Sequence, residues 1–340
     1  MLTRLSRFAI GVIACAIAAA LSPGAAFAAF PGGNGLIAFS GHQAGESGFL
    51  TEIFTIRPDG SGLQQLTDQA TGLAAVTQPS WSADGRRLVY STEPFYAETE
   101  TTSVFTIDID GGEPTRVLDL GNARVSPAPS FSPSGRRILY TTLVGTREEG
   151  RFTFRGSIRT IRTNGSKPRR LLRGFLSNAQ YSPSGKRIVF AGTPKRKSRS
   201  GIWTMRRDGS RLRRLTDPEK IDRDLSDTAP DYSPDGRHIV FTRAEFMSDV
   251  EIRVMRANGS HGRRIPGAAT VFDHPEVKTP AYAPAGDRIV VPFVTGTRGQ
   301  SCSDLYTLSP RGADKQNLTN DCDSFGLGGS ALFPSWQPVR

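Results

Sequence analysis

One phrase recurs along the chain at a nearly constant interval. It reads PSWSADGRRLVY at 79–90, PSFSPSGRRILY at 129–140, AQYSPSGKRIVF at 179–190, PDYSPDGRHIVF at 230–241 and PAYAPAGDRIVV at 280–291. A truncated copy, PSWQPVR, ends the chain at 340. The aromatic positions Trp81, Phe131, Tyr181, Tyr232, Tyr282 and Trp336 are spaced by 50, 50, 51, 50 and 54 residues. A second phrase alternates with the first, as in IFTIRPDGSGLQQLTD (53–68) and IWTMRRDGSRLRRLTD (202–217). Two interleaved motifs at one period of about 50 residues predict an array of similar strand-rich units.

Each unit reads as four strands. The aromatic phrase supplies the first. Gly85, Gly135, Gly185, Gly236 and Gly286 mark the turn that follows, where a positive φ favours glycine. The second strand is an apolar, β-branched run such as RIVF, without alternation, as expected for a strand covered on both faces. A variable loop leads to a third strand, and a D/N-G-S turn leads to a fourth that carries arginines. The expected fold is all-β: a six-bladed β-propeller of four-stranded antiparallel blades, a ring that limits exposed sheet edges. PSWQPVR is a first strand lacking a second, and NGLIAF (34–39) is a second strand lacking a first. Joined, they predict a latch between the N-terminal and C-terminal strands. The blades fall near 334–340 plus 34–68, 79–120, 129–173, 179–217, 230–267 and 280–320, within one propeller spanning 29–340.

Residues 1–28 read as a signal peptide. Arg4 and Arg7 precede an apolar run from Phe8 to Leu21, and Ala26 and Ala28 sit as the small residues before a cleavage site. That run is shorter than the ~20 residues needed to span a bilayer, and no later stretch is apolar enough to cross one. The protein is therefore expected to be exported, to periplasm, cell surface or medium, with lipid anchoring at Cys15 as an alternative. Two cysteines remain, Cys302 and Cys322. They lie equidistant from Gly312, so an antiparallel hairpin brings them together as a disulfide. The net charge of +11 comes mostly from arginine. Arginines occur in every repeat, which reads as compositional bias, with an anionic polymer as the alternative partner.

The repeat resembles that of the TolB-like β-propellers, a WD-like repeat family, whose pattern P-x-W-S-P-D-G-x-x-I-x-F is followed by a strand, D-G and L-T. The resemblance covers roughly 34–340. It implies a periplasmic or extracellular propeller that binds protein or ligand. The α/β domain preceding the propeller in the family's namesake has no counterpart here. Related propellers also occur in serine peptidases and oligogalacturonate lyases.

Topology sends the short turns to one face and the long connections 41–52, 91–103, 141–157, 191–201, 242–251 and 292–304 to the other. Long loops on a rigid scaffold are where binding resides. Glu98 and Glu100 make one acidic sector of that face, and Lys195, Arg196, Lys197 and Arg199 a basic one, as suits a protein or peptide of the cell envelope. At the channel mouth the ionisable candidates are Asp227, Asp273, His274, Glu276 and Lys278. They are candidate ligand-binding residues, or the site of a lyase-like enzyme acting on polysaccharide. Four histidines are too few and too scattered for a histidine-rich metal site. DIDGGE (108–113) sits where the repeat places its hairpin turn, which accounts for it better than a calcium loop. There is no G-x-S-x-G nucleophile elbow. No cofactor and no catalytic residue is expected, and the chain is read as a monomer.

Overall fold

The computed structural model describes residues 30–42, 51–68, 74–94, 101–121, 127–148, 151–194, 199–222, 225–245, 250–270, 279–297, 300–320 and 332–340. Strands β1 (Gly33–His42), β2 (Thr51–Ile56) and β3 (Gln64–Gln65) belong to the first blade. The second holds β4 (Ala74–Trp81), β5 (Arg87–Pro94), β6 (Ser103–Asp108) and β7 (Thr115–Asp119). The third holds β8 (Ser130–Phe131), β9 (Arg137–Glu148), β10 (Arg151–Arg162) and β11 (Arg169–Arg173). The fourth holds β12 (Phe175–Tyr181), β13 (Arg187–Thr193), β14 (Ile202–Arg206) and β15 (Arg213–Arg214). The fifth holds β16 (Leu225–Tyr232), β17 (His238–Glu245), β18 (Val250–Arg256) and β19 (Arg263–Thr270). The sixth holds β20 (Ala281–Tyr282), β21 (Ile289–Thr297), β22 (Gln300–Leu308) and β23 (Gln316–Asn317). Finally, β24 (Leu332–Val339) returns to the first blade. The six sheets are each four-stranded, and the first has the order β24-β1-β2-β3. The latch is therefore present: Ile37 faces Trp336 and Ala38 faces Ser335 across an antiparallel pair.

Apolar residues on both faces of the inner strands find partners in the neighbouring blade. Trp81, Leu88 and Tyr90 of the second blade pack with Ala38 and Ile53 of the first. Phe131, Ile138 and Tyr140 of the third pack with Val89 and Val104 of the second. At the closing seam Trp336, Ile37 and Phe39 pack with Ala283, Val290 and Leu305 of the sixth. These residues are almost wholly buried, and each large side chain removed from water contributes about 1.5–3 kcal/mol.

The repeated small residues are joints between blades. In the D/N-G-S turns the Asp or Asn carboxyl or amide oxygen accepts from the Ser amide two residues on, for example Asp208 from Ser210 at 2.9 Å and Asn258 from Ser260 at 3.0 Å. The glycine between them has a positive φ and lies against the fourth strand of the preceding blade. A Cβ on Gly209 would stand 2.5 Å from the Leu171 carbonyl oxygen, and one on Gly259 would stand 2.9 Å from that of Leu215. No side chain fits there. The L-T motif has its own reason. The Thr67, Thr216 and Thr319 hydroxyls accept from the amides of Ile53, Ile202 and Leu305 at 2.9, 2.9 and 3.0 Å, closing the outer hairpin of their blades.

Two features depart from the expectation. The connections 141–157 and 292–304 are not irregular loops but continuations of the ladder. β9 and β10 stay paired out to Glu148 and Arg151, and β21 and β22 out to Thr297 and Gln300. The first strands are also broken by a bulge three residues before the aromatic. Gln78, Ala128, Asn178, Ala229 and Phe333 all have positive φ, and the register shifts between Thr77 and Ser80, Ser177 and Gln180, and Thr228 and Asp231. A bulge of this kind re-aims the side chains that follow it.

Candidate functional site

The bulge decides which residues reach the axis. A cavity of about 110 Å³ lies on it, lined from all six blades. The residue immediately before each aromatic faces it: Ser80, Ser130, Gln180, Asp231, Ala281 and Ser335. Several of them also tie neighbouring blades. The Ser130 hydroxyl donates to the Ala179 carbonyl at 3.2 Å, and the Asp231 carboxylate accepts from the Tyr282 amide at 3.0 Å. Trp81 donates its indole N–H to the Ser335 carbonyl at 3.1 Å. The N-terminal stretch closes in from the short-turn side, where β1 begins. Phe30 is buried and lines the same cavity.

Asp231 is the carboxylate among these described lining residues. Burial pushes its carboxyl up to about 7, against the lowering effect of the Tyr282 and Tyr232 amides. The residue was legible, since PDY stands alone among PSW, PSF, AQY, PAY and PSW. Its significance was not, because only the bulge shows that this position reaches the axial cavity.

Asp227, the candidate that lies four residues earlier, is held in a buried ion pair. Its side chain is fully buried and accepts two bonds from Arg243, at 2.6 Å from Nε and 2.8 Å from Nη2. The two residues are register partners on β16 and β17. Arg243 in turn faces Glu251 on β18, which pairs with Arg253 at 2.7 Å and Arg264 at 3.4 Å. Asp227 therefore begins a ladder of alternating charge that crosses the fifth blade. Gln78 is likewise a strap: its amide oxygen accepts from the Ala128 amide at 2.6 Å. Asp273, His274, Glu276 and Lys278 lie outside the described residues, as do Glu98, Glu100, Lys195, Arg196 and Lys197. Arg199 is described and half-exposed, but it reaches back to Asp217 at 3.7 Å and Glu219 at 4.0 Å. It staples its loop to the short 3-10 turn Pro218–Lys220. Among the described residues no group of three or more His, Cys, Asp or Glu is placed to hold a metal ion, and no helix is long and apolar enough to cross a membrane.

Two expectations follow. Removing one partner of a buried pair strands the other charge, so Asp227→Ala should cost about 3–5 kcal/mol in urea unfolding, with much of that recovered in Asp227→Ala/Arg243→Met. A loss below about 1 kcal/mol would return Asp227 to the list of functional candidates. The folded pKa of Asp231 lies above that of an ordinary carboxylate, so between about pH 4 and pH 7 the folded protein holds more protons than the unfolded chain and stability falls as pH rises. Asp231→Asn should match the wild type in melting temperature near the acid end and exceed it at the neutral end. Parallel curves would contradict the assignment.

Comparison with known proteins places this geometry. The TolB beta propeller domain family matches residues 95–320. The Tol-Pal system protein TolB of Francisella tularensis subsp. mediasiatica is 29% identical over 77% of this chain and 54% of its own length. An uncharacterized protein of Agrobacterium fabrum is 26% identical over 76% of this chain and 80% of its own. The chain thus spans about half the length of the curated TolB relatives it matches. Among solved structures, TolB from Acinetobacter baumannii superposes with a TM-score of 0.69 at 20% identity, covering 89% of this chain and 67% of that one. An oligogalacturonate lyase from Vibrio parahaemolyticus gives 0.51 at 11% identity, covering 83% of this chain and 79% of that one, a likeness of fold alone. With six four-stranded blades, a terminal latch and the family's repeat over more than half its length, the chain belongs to the TolB β-propeller family.

Proposed function

We propose that this chain is an exported, non-enzymatic propeller that binds a protein or peptide of the cell envelope through its long-loop face. The observation that carries the reading is the asymmetry of the two faces. The short-turn face is built from repeated turns that lock blade to blade. The other face carries the β9–β10 and β21–β22 hairpins, whose ladders run on beyond the blade cores, together with the variable charged connections. A partner of extended or irregular shape is served by such a face. Relatives named as Tol-Pal system components support an envelope role. The lyase-like alternative loses Asp227 to its pair with Arg243. Replacing 143–155 by a short turn should abolish recovery of a partner from envelope extracts while leaving the melting temperature unchanged. Recovery of the same partner by the shortened protein would contradict the face assignment.

Export into an oxidising compartment also accommodates the proposed Cys302–Cys322 disulfide. Cys322 lies outside the described residues. What supports the pairing is the register around it. Leu305 accepts at its carbonyl from the Leu318 amide and donates its own amide to Thr319. The outer hairpins of the second and third blades slip by one residue at the equivalent place, after which Val104 faces Leu118 and Ser103 faces Asp119. Carried outward from Leu305 and Thr319, the same slip would set position 302 opposite 322. Closing a loop of this length contributes about 3 kcal/mol. Peptide mapping of envelope-derived protein without reductant should yield the linked pair. Two alkylatable thiols in that protein would overturn the bond.

A further inference from the structure

The arginine bias is not uniform around the ring. Residues 79–120 carry three basic and eight acidic side chains, whereas 129–173 and 179–217 each carry eleven basic and two acidic ones. The third and fourth blades meet at a cleft of about 890 Å³ on the short-turn face. Arg137, Lys167, Arg169 and Arg207 line it, interleaved with hydroxyls from Ser132, Ser134, Thr160, Ser184 and Tyr181.

Two cations of this cleft, Arg137 and Arg169, are held in place without being neutralised. Arg137 donates from Nε to the Thr160 hydroxyl at 3.1 Å and from Nη2 to the Lys167 carbonyl at 3.2 Å. Arg169 donates to the Asp208 carbonyl at 3.4 Å. These are neutral acceptors, and none of the four cations makes an ion pair with a carboxylate among the described residues. The one carboxylate lining the cleft, Asp208, is turned into its own hairpin, accepting from the Ser210 amide at 2.9 Å and hydroxyl at 2.7 Å. The turn chemistry differs too. The second and fifth blades place Asp84 and Asp235 in the turn before the glycine, each accepting from a serine hydroxyl at 2.5 Å. In the two blades that flank the cleft that residue is Ser134 or Ser184. The turn carboxylate of the second and fifth blades is thus absent from both turns that flank the cleft.

We infer that this seam is a binding site for an acidic polysaccharide, a second site on the face opposite the proposed partner surface. Arginine forks bind carboxylates in a fixed bidentate geometry, and the serine, threonine and tyrosine hydroxyls match the hydroxyls of a sugar chain. Exposed Arg170 and Arg173 on β11 and Arg211 and Arg213 near β15 extend the positive surface beyond the cleft, as a linear polymer requires and a small anion does not. The seam between the fifth and sixth blades is the internal control. It has the same form and about 900 Å³, but Pro31 lies in it and Asp235 is among its lining residues.

The test is titration of the full mature protein with alginate oligomers, with neutral dextran, polyphosphate and anionic lipid vesicles as comparison ligands. Alginate should bind, dextran should not, and affinity should fall steeply with added salt. Arg169→Glu/Arg207→Glu, at exposed positions, should weaken alginate binding roughly ten-fold or more with melting temperature unchanged. The equal charge change in Arg256→Glu/Arg311→Glu, at the control seam, should weaken it less than about two-fold. Equal losses in the two double variants would reduce the effect to net charge and overturn the site. So would an unchanged affinity in Arg169→Glu/Arg207→Glu, or tighter binding to polyphosphate or vesicles than to alginate.

Discussion

A blade of this protein cannot bury its own apolar faces. Its inner strands carry Ile, Val, Leu and aromatic side chains on both sides, and each set is covered only by the next blade. A row of such sheets would always leave one end face open to water. Closing the row into a ring removes that end, and the closure here depends on β24 adding the missing first strand to the blade that opens with β1. The small residues of the repeat serve the same need. Turn glycines let one blade's backbone approach the last strand of its neighbour at distances that no side chain permits. Arginines of the fourth strands reach across the same joints: Arg213 donates to the Asn258 carbonyl at 3.0 Å and Arg263 to that of Pro310 at 2.9 Å.

That economy explains why the architecture was legible in the sequence. The residues that recur are the residues that join blades, so blade number, strand order and the split first blade could all be read from Trp81, its five counterparts and the turn glycines. The candidate site was less legible, because it depends on a backbone irregularity with no residue signature. Gln78, Ala128, Asn178, Ala229 and Phe333 share a left-handed conformation and share no chemistry. Asp227 was expected at the channel mouth as an ionisable residue shortly before the aromatic. The bulge instead sends Asp231 to the axis and leaves Asp227 beside Arg243. The 141–157 connection looked like a loop because its TTLVGTREEGRFTFRGS sequence is polar and varied, yet its backbone continues the β9–β10 ladder. The uneven charge could have been read by counting blade by blade. Taken over the whole chain it passes for bias.

The scaffold therefore separates three regions. Among the described residues the axis holds one carboxyl, and burial opposes its ionisation. The long-loop face carries the extended β9–β10 and β21–β22 hairpins. The short-turn face, otherwise given over to blade joints, is uncompensated in charge at the seam of the third and fourth blades. The first follows from the bulge and the second from the lengths of the connections. The third follows from the replacement of a turn aspartate by serine in two successive blades. Each can vary without disturbing the apolar seams, which is how one ring accommodates different binding tasks.

The central claim is that the terminal strands hold the ring shut. It is tested most directly by amide hydrogen exchange on the full chain and on a chain ending at residue 331. The account predicts that without β24 protection is lost not only in β1 but also at the seam with the sixth blade, around Val290 and Leu305, because that seam buries Trp336. Unchanged protection at Val290 and Leu305 in the shortened chain would contradict it.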